Sequence, residues 1–129
     1  MNLGTNRIYV SNRVSDNVSV INGFTNTVIA TITVGDNPFG VAENVTANTV
    51  YVANLLTDNV SVIDGLSNTV IATISVGNEP TGVDVDPTRN LIYVANRAVD
   101  NVSVINGTTN TVIATITVGD TPVGVVVNP

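Results

Sequence analysis

The chain of 129 residues contains no histidine, cysteine, lysine or tryptophan. Without histidine there is no Ser-His-Asp or Cys-His arrangement, no histidine metal site and no use of the commonest general base. Without cysteine there is no disulfide framework. Without lysine there is no Schiff-base chemistry and no P-loop cation. Cations are confined to Arg7, Arg13, Arg89 and Arg97 against ten acidic residues, for a net charge of −6. Four scattered arginines make no basic stripe, which argues against nucleic acid as a partner. No polybasic segment is present to hold an anionic membrane, and no apolar run reaches bilayer length, so no insertion is expected. The opening residues MNLGTNRIYV lack the charged and apolar regions of a signal peptide.

What is present is mostly Val and Ile. Hydrophobic residues make up 43% of the chain and aromatics only 4%. β-Branched residues suit a pleated sheet, and no long helical period appears, so an all-β protein is expected. The run NTVIATITVG at 26–35 returns unchanged at 110–119, and with one substitution at 68–77. Such an uncharged, proline-free β segment is ordinarily an aggregation hazard. Its three copies belong to a repeat of 42 residues, which relates Tyr9, Tyr51 and Tyr93, then Asp16, Asp58 and Asp100, then Gly35, Gly77 and Gly119, then Pro38, Pro80 and Pro122. Nothing is inserted or deleted between units.

Each unit reads as four short strands. In the last complete set these cover residues 82–85, 91–95, 101–105 and 111–118. Asp86-Pro87 signals a turn after the first, and Asn106-Gly107 begins a tight connection between the third and fourth. The second strand is apolar on both faces and is expected to be buried on both. Four antiparallel strands per unit of this length predict a propeller blade, whose faces are covered by stacking neighbours around an axis. A β-solenoid is the second reading; its parallel strands fit the hairpin signals less well.

The motifs Tyr51-Val52-Ala53-Asn54 and Tyr93-Val94-Ala95-Asn96, each followed by Asp-Asn-Val-Ser-Val-Ile and later by Gly-x-x-Pro-x-Gly-Val, resemble the YVTN family of β-propeller repeats. The first repeat departs slightly, with Tyr9-Val10-Ser11-Asn12. The resemblance covers the whole chain. It implies a propeller, frequently of seven blades, used for binding or as a scaffold in surface-layer and other extracellular proteins.

The chain is expected to form one propeller segment, 1–129, with repeats at 7–48, 49–90 and 91–129. It opens on the second strand of a blade and closes on a lone first strand at 124–128. Three blades cannot close a ring alone, because each would have to turn about 120°. Val125, Val126 and Val127 are therefore expected to pair with Ile8, Tyr9 and Val10 of another copy, completing its first blade head-to-tail. A dimer would give six blades and a trimer nine; the dimer lies nearer the family's usual number. An open filament is the third outcome.

Loops between second and third strands, and between fourth and first, share one end of a propeller. Arg13, Phe39, Leu55, Leu56 and Arg97 lie there and form a candidate binding face of anchor-type residues; the plainer reading is relaxed loop sequence. Its partner, protein or glycan, is not named by these residues. Asp16, Asp58 and Asp100 recur one repeat apart, too regularly for a ligand cluster, and are expected to hydrogen-bond turn backbone. Asp84, Asp86 and Glu43 could line a channel without forming a regular ring. No cofactor, metal or catalytic residue is expected. Asn17, Asn44, Asn59, Asn101 and Asn106 each open a glycosylation sequon, three of them simply because the repeat carries one. The expected function is a non-catalytic, self-assembling scaffold. The alternative is a propeller that binds a ligand or protein at the loop face and channel mouth.

Overall fold

The computed structural model describes residues 4–129. Every loop of the repeat turns on one residue in the left-handed backbone region. Asn6, Asn48 and Asn90 precede the second strand of each unit, Asp16, Asp58 and Asp100 the third, and Asn26, Asn68 and Asn110 the fourth. Asn and Asp tolerate this conformation better than other residues that carry a Cβ. Asn37, Glu79 and Thr121 hold the same conformation ahead of the next unit. Between these turns the Val, Ile and Thr runs extend as strands.

Three antiparallel sheets result among the described residues. The first blade is β1 (Arg7–Asn12), β2 (Asn17–Asn22) and β3 (Thr27–Thr33), in that order. The second is β4 (Pro38–Asn44), β5 (Thr49–Asn54), β6 (Asn59–Asp64) and β7 (Thr69–Ser75). The third is β8 (Pro80–Asp86), β9 (Leu91–Asn96), β10 (Asn101–Asn106) and β11 (Thr111–Thr117), with a short 3-10 turn at Arg97–Val99. Strands pair in sequence order within each sheet, so the connections are hairpins and the solenoid reading falls away. The register repeats as well: Asn12 faces Asn17, Asn54 faces Asn59, and Asn96 faces Asn101.

The hairpins are where the sequence placed them, but for a different physical reason. No described glycine has positive φ. The third-to-fourth connection spans four residues, and its left-handed position is the Asn that ends it. Gly23, Gly65 and Gly107 instead sit against Asn6, Asn48 and Asn90, whose side chains occupy the space a Cβ would need. Their N–H groups donate to the carbonyls of those same asparagines at 2.7, 2.8 and 2.9 Å. Glycine here permits close approach rather than an unusual turn.

The core lies between blades. Val18, Val20 and Ile32 of the first blade pack on Val50, Val52 and Ile63 of the second. Tyr51, Ala53, Val60, Val62 and Ile74 on the other face of the second blade meet Val83, Val85, Ile92 and Val94 of the third. β5 is thus buried on both faces, which is why its residues do not alternate in polarity. Each valine so covered contributes roughly 1.5–3 kcal/mol relative to exposure. Asn12, Asn54 and Asn96 pin the second strand to the third. Each donates through Nδ2 to an Asn Oδ1 and a Ser Oγ, at 2.8–2.9 Å. Between blades, Ser11 Oγ donates to the Phe39 carbonyl at 2.7 Å, and Asn44 Nδ2 to Asn90 Oδ1 at 2.9 Å.

Residues 122–129 carry no strand ladder. The strand expected at 124–128 is instead a segment beside β8, in the place that β8 takes beside β4. The Val123 carbonyl and Gly124 lie against Gly82 as the Thr81 carbonyl and Gly82 lie against Gly40. Thr81 Oγ1 donates to the Val123 carbonyl at 2.8 Å, and the Val127 N–H donates to Asp84 Oδ2 at 2.7 Å. A ladder needs a second strand in register, and among the described residues this segment has only the inner edge of a neighbouring blade.

Candidate interaction surfaces

The loop face gathers the residues the sequence singled out, but uses them unequally. Arg13 lies over the Phe39 ring, 5.3 Å from its centroid, and its Nε donates to Asn37 Oδ1 at 2.8 Å. Phe39 belongs to β4 rather than to the preceding loop. Arg97 donates through Nε and Nη2 to Glu79 Oε2 at 3.0 and 2.8 Å. In the middle repeat Leu55 replaces the arginine and is only 6% exposed, so it is a packing residue and offers no anchor; Leu56 beside it is exposed. The loops are tied by backbone bonds. Leu55 N–H donates to the Asn37 carbonyl at 3.0 Å and Arg97 N–H to the Glu79 carbonyl at 2.9 Å.

Asp16, Asp58 and Asp100 do bond backbone, though not in their own turns. Their Oδ1 atoms accept the N–H of Asn37, Glu79 and Thr121, 21 residues on, at 2.8, 2.9 and 2.8 Å. Each carboxylate thus supports the left-handed residue of the following loop. No group of three metal-ligating side chains occurs among the described residues. Asp84 Oδ1 accepts the Val85 N–H at 2.9 Å, while its other oxygen takes Val127. Asp86 accepts Arg89 Nε at 2.8 Å and the N–H groups of Thr88 and Arg89. The Arg89 side-chain hydrogen bond, before any other cause, holds the Asp86 carboxyl below its ordinary pKa. Among the sequons, Asn44 is buried with its Nδ2 committed to Asn90, so it is closed to modification in the folded chain.

The flanks of the blade stack were legible only through the repeat. Val52 and Val94 are 0% exposed, whereas Val10 at the same repeat position is 40% exposed on the outer face of the first blade. Ile32 and Ile74 are 6% and 5% exposed, whereas Ile116 on the outer face of the third blade is 47% exposed. The glycines report the same difference. A Cβ on Gly35 would meet Thr57 and Asn54, one on Gly77 would meet Asn96, and one on Gly119 would meet nothing among the described residues within 4 Å. At the inner edge of the first blade, β1 has only β2 as ladder partner among the described residues, and Ile8, Tyr9, Val41, Ala42, Glu43 and Val50 line a groove between β1 and β4. Within one chain, Ile8, Tyr9 and Val10 are in the first blade, whereas residues 125–127 lie beside the third.

No helix of the described residues is long and apolar enough to cross a membrane. No family model and no curated protein matches the chain. Solved structures do. Hydrazine synthase from Kuenenia stuttgartiensis matches 92% of this chain with a TM-score of 0.87 and 25% identity. Apo AztD from Citrobacter koseri matches 84% with a TM-score of 0.71 and 18% identity, and a second structure of AztD from the same organism matches 84% with 0.72 and 16%. The chain spans about a third of the length of each: 34% of the first and 31% of the other two. These neighbours have propeller-type folds, and the chain is an all-β segment of that type, three blades long.

Proposed function

We propose that this chain is a non-catalytic scaffold whose two open blade faces pack head-to-tail, closing a ring of six blades from two copies or nine from three. The observation that carries the reading is the equivalence of the faces. The outer face of the third blade repeats the second-blade face that covers the third. The outer face of the first blade repeats the second-blade face that covers the first. Val10 and Ile116 therefore belong to two surfaces already fitted to each other inside the molecule. Gly119 then receives Asn12 of a second copy as Gly35 receives Asn54 and Gly77 receives Asn96. An interface between such flanks is heterologous, so it closes a ring only if the rotation per copy allows, and otherwise runs on as a fibre.

The YVTN-type motifs extend this reading to a surface-layer or other extracellular setting. The absence of histidine, cysteine and lysine supports a role without turnover. Light scattering of the purified chain tests the proposal, with a mass of two or three chains expected. Ile116→Asp places a charge on the third-blade flank and is expected to give monomers with unchanged circular dichroism. A wild-type chain that stays monomeric up to about 100 μM would overturn it.

A further inference from the structure

We infer that the groove between β1 and β4 is a strand-addition site for residues 122–128 of a second copy, in one defined register. The inference rests on the head-to-tail reading above and adds which backbone meets which.

The two complete blades supply the register twice. Pro38 pairs with Asn54, Val41 with Val52, Ala42 with Tyr51, Glu43 with Val50 and Asn44 with Thr49. In the third blade, Pro80 pairs with Asn96, Val83 with Val94, Asp84 with Tyr93, Val85 with Ile92 and Asp86 with Leu91. Both ladders share a register shift just after the proline. Advancing the first-strand positions by the repeat reaches Pro122, Val125, Val126, Val127 and Asn128. Moving the second-strand positions back reaches Asn12, Val10, Tyr9, Ile8 and Arg7. The pairs are then Pro122 with Asn12, Val125 with Val10, Val126 with Tyr9, Val127 with Ile8 and Asn128 with Arg7 of the second copy.

Three further observations fit this occupant. Of the six residues lining the groove, Ile8, Val41, Ala42 and Val50 are apolar, which suits a segment of three successive valines, while Tyr9 and Glu43 supply its polar groups. The segment already lies in first-strand position beside β8, held through Val123 and Val127, and Val126 is 85% exposed, so it is arranged before any encounter. The loops agree too. The Leu55 and Arg97 N–H groups donate to the Asn37 and Glu79 carbonyls, so the Arg13 N–H would donate to the Thr121 carbonyl of the second copy. Ladder hydrogen bonds supply the affinity in such strand addition, and alternate side chains supply the specificity.

A chain without cysteine allows a direct test. In one full-length chain, Val10→Cys with Val125→Cys, and separately Tyr9→Cys with Val126→Cys, place thiols at in-register positions that cover both kinds of antiparallel pair. Tyr9→Cys with Val125→Cys, and Val10→Cys with Val126→Cys, put them one residue out. Mild oxidation is expected to give interchain disulfides for at least one in-register pair and for neither of the others. Crosslinking only of the out-of-register pairs would overturn the assigned register. No crosslink in any variant, while light scattering still shows two or three chains, would overturn the groove as the receiving site and leave the scaffold reading standing. Monomers throughout would remove both.

Discussion

Gly35 and Gly119 end the same ten-residue run and are both followed by Asp, so the sequence is identical through that residue and first differs at Asn37 and Thr121. Neither has positive φ. Only their neighbours differ, which makes Gly→Ala at the two sites a measurement of what the next blade contributes. At Gly35 the new Cβ would stand 2.5 Å from Thr57 Oγ1 and 2.7 Å from Asn54 Cγ and Nδ2. Thr57 can rotate away, but Asn54 is buried and holds Asn59 and Ser61 through that Nδ2. Overpacking costs about 1–3 kcal/mol, and the loss of a hydrogen bond adds about 1 kcal/mol. Gly35→Ala should therefore destabilise by about 2–4 kcal/mol. At Gly119 the Cβ meets open space, and the alanine stiffens the unfolded chain, a gain of about 0.4–1 kcal/mol. Urea unfolding followed by circular dichroism, at a concentration too low for assembly, should read a fall in midpoint of about 1–2 M for the first and a rise of about 0.2–0.5 M for the second, given a slope near 2 kcal/mol/M. At assembling concentrations Gly119→Ala should reduce the oligomer, because Asn12 of a second copy then meets the added methyl. Equal effects of the two substitutions on the dilute chain would refute the argument from blade contacts.

Acid should weaken the fold through Asp86 and Asp64. The Arg89 side chain depresses the first, and the Ser67 hydroxyl depresses the second. A carboxylate with a lowered folded-state pKa stabilises above its unfolded value, about 3.9 for Asp, and loses that contribution as pH falls through the folded value. Urea midpoints taken from pH 6 to pH 2 should drop below about pH 4, and Asp86→Asn should flatten part of that drop; an unaltered acid limb would count against the assignment. Thr121 is a β-branched residue at φ 55° where the first repeat has Asn37. Thr121→Asn should relieve about 1 kcal/mol of strain and raise the thermal midpoint by about 3–5 °C, and a fall in midpoint would show that the threonine is not strained.

The blade was readable because the repeat fixes spacing, and spacing fixes strand order and count. The repeat makes the register of the second and third strands the same in every unit, but which residues face each other, Asn12 with Asn17 and its equivalents, comes from the structure. The glycines were harder. In Asn106-Gly107 the cue located the hairpin, yet the left-handed residue is Asn110, and Gly107 is small because Asn90 from a distant loop lies on it. A contact of that kind has no local signature. Leu55 was unreadable for a related reason: a leucine among loop arginines looks like an anchor until packing shows it 6% exposed. Likewise the 21-residue reach of Asp16 to Asn37 is a property of how loops stack, which periodicity alone does not carry.

The three copies of the uncharged fourth strand have one more consequence. Each lies at the outer margin of its sheet, with Val28 and Ile29, Val70 and Ile71, and Val112 and Ile113 all facing solvent. The perimeter of any closed disc would therefore be a greasy, hydroxyl-studded rim of constant composition. Discs meeting rim to rim would find no charge to keep them apart, so crowding should favour lateral sheets over free particles.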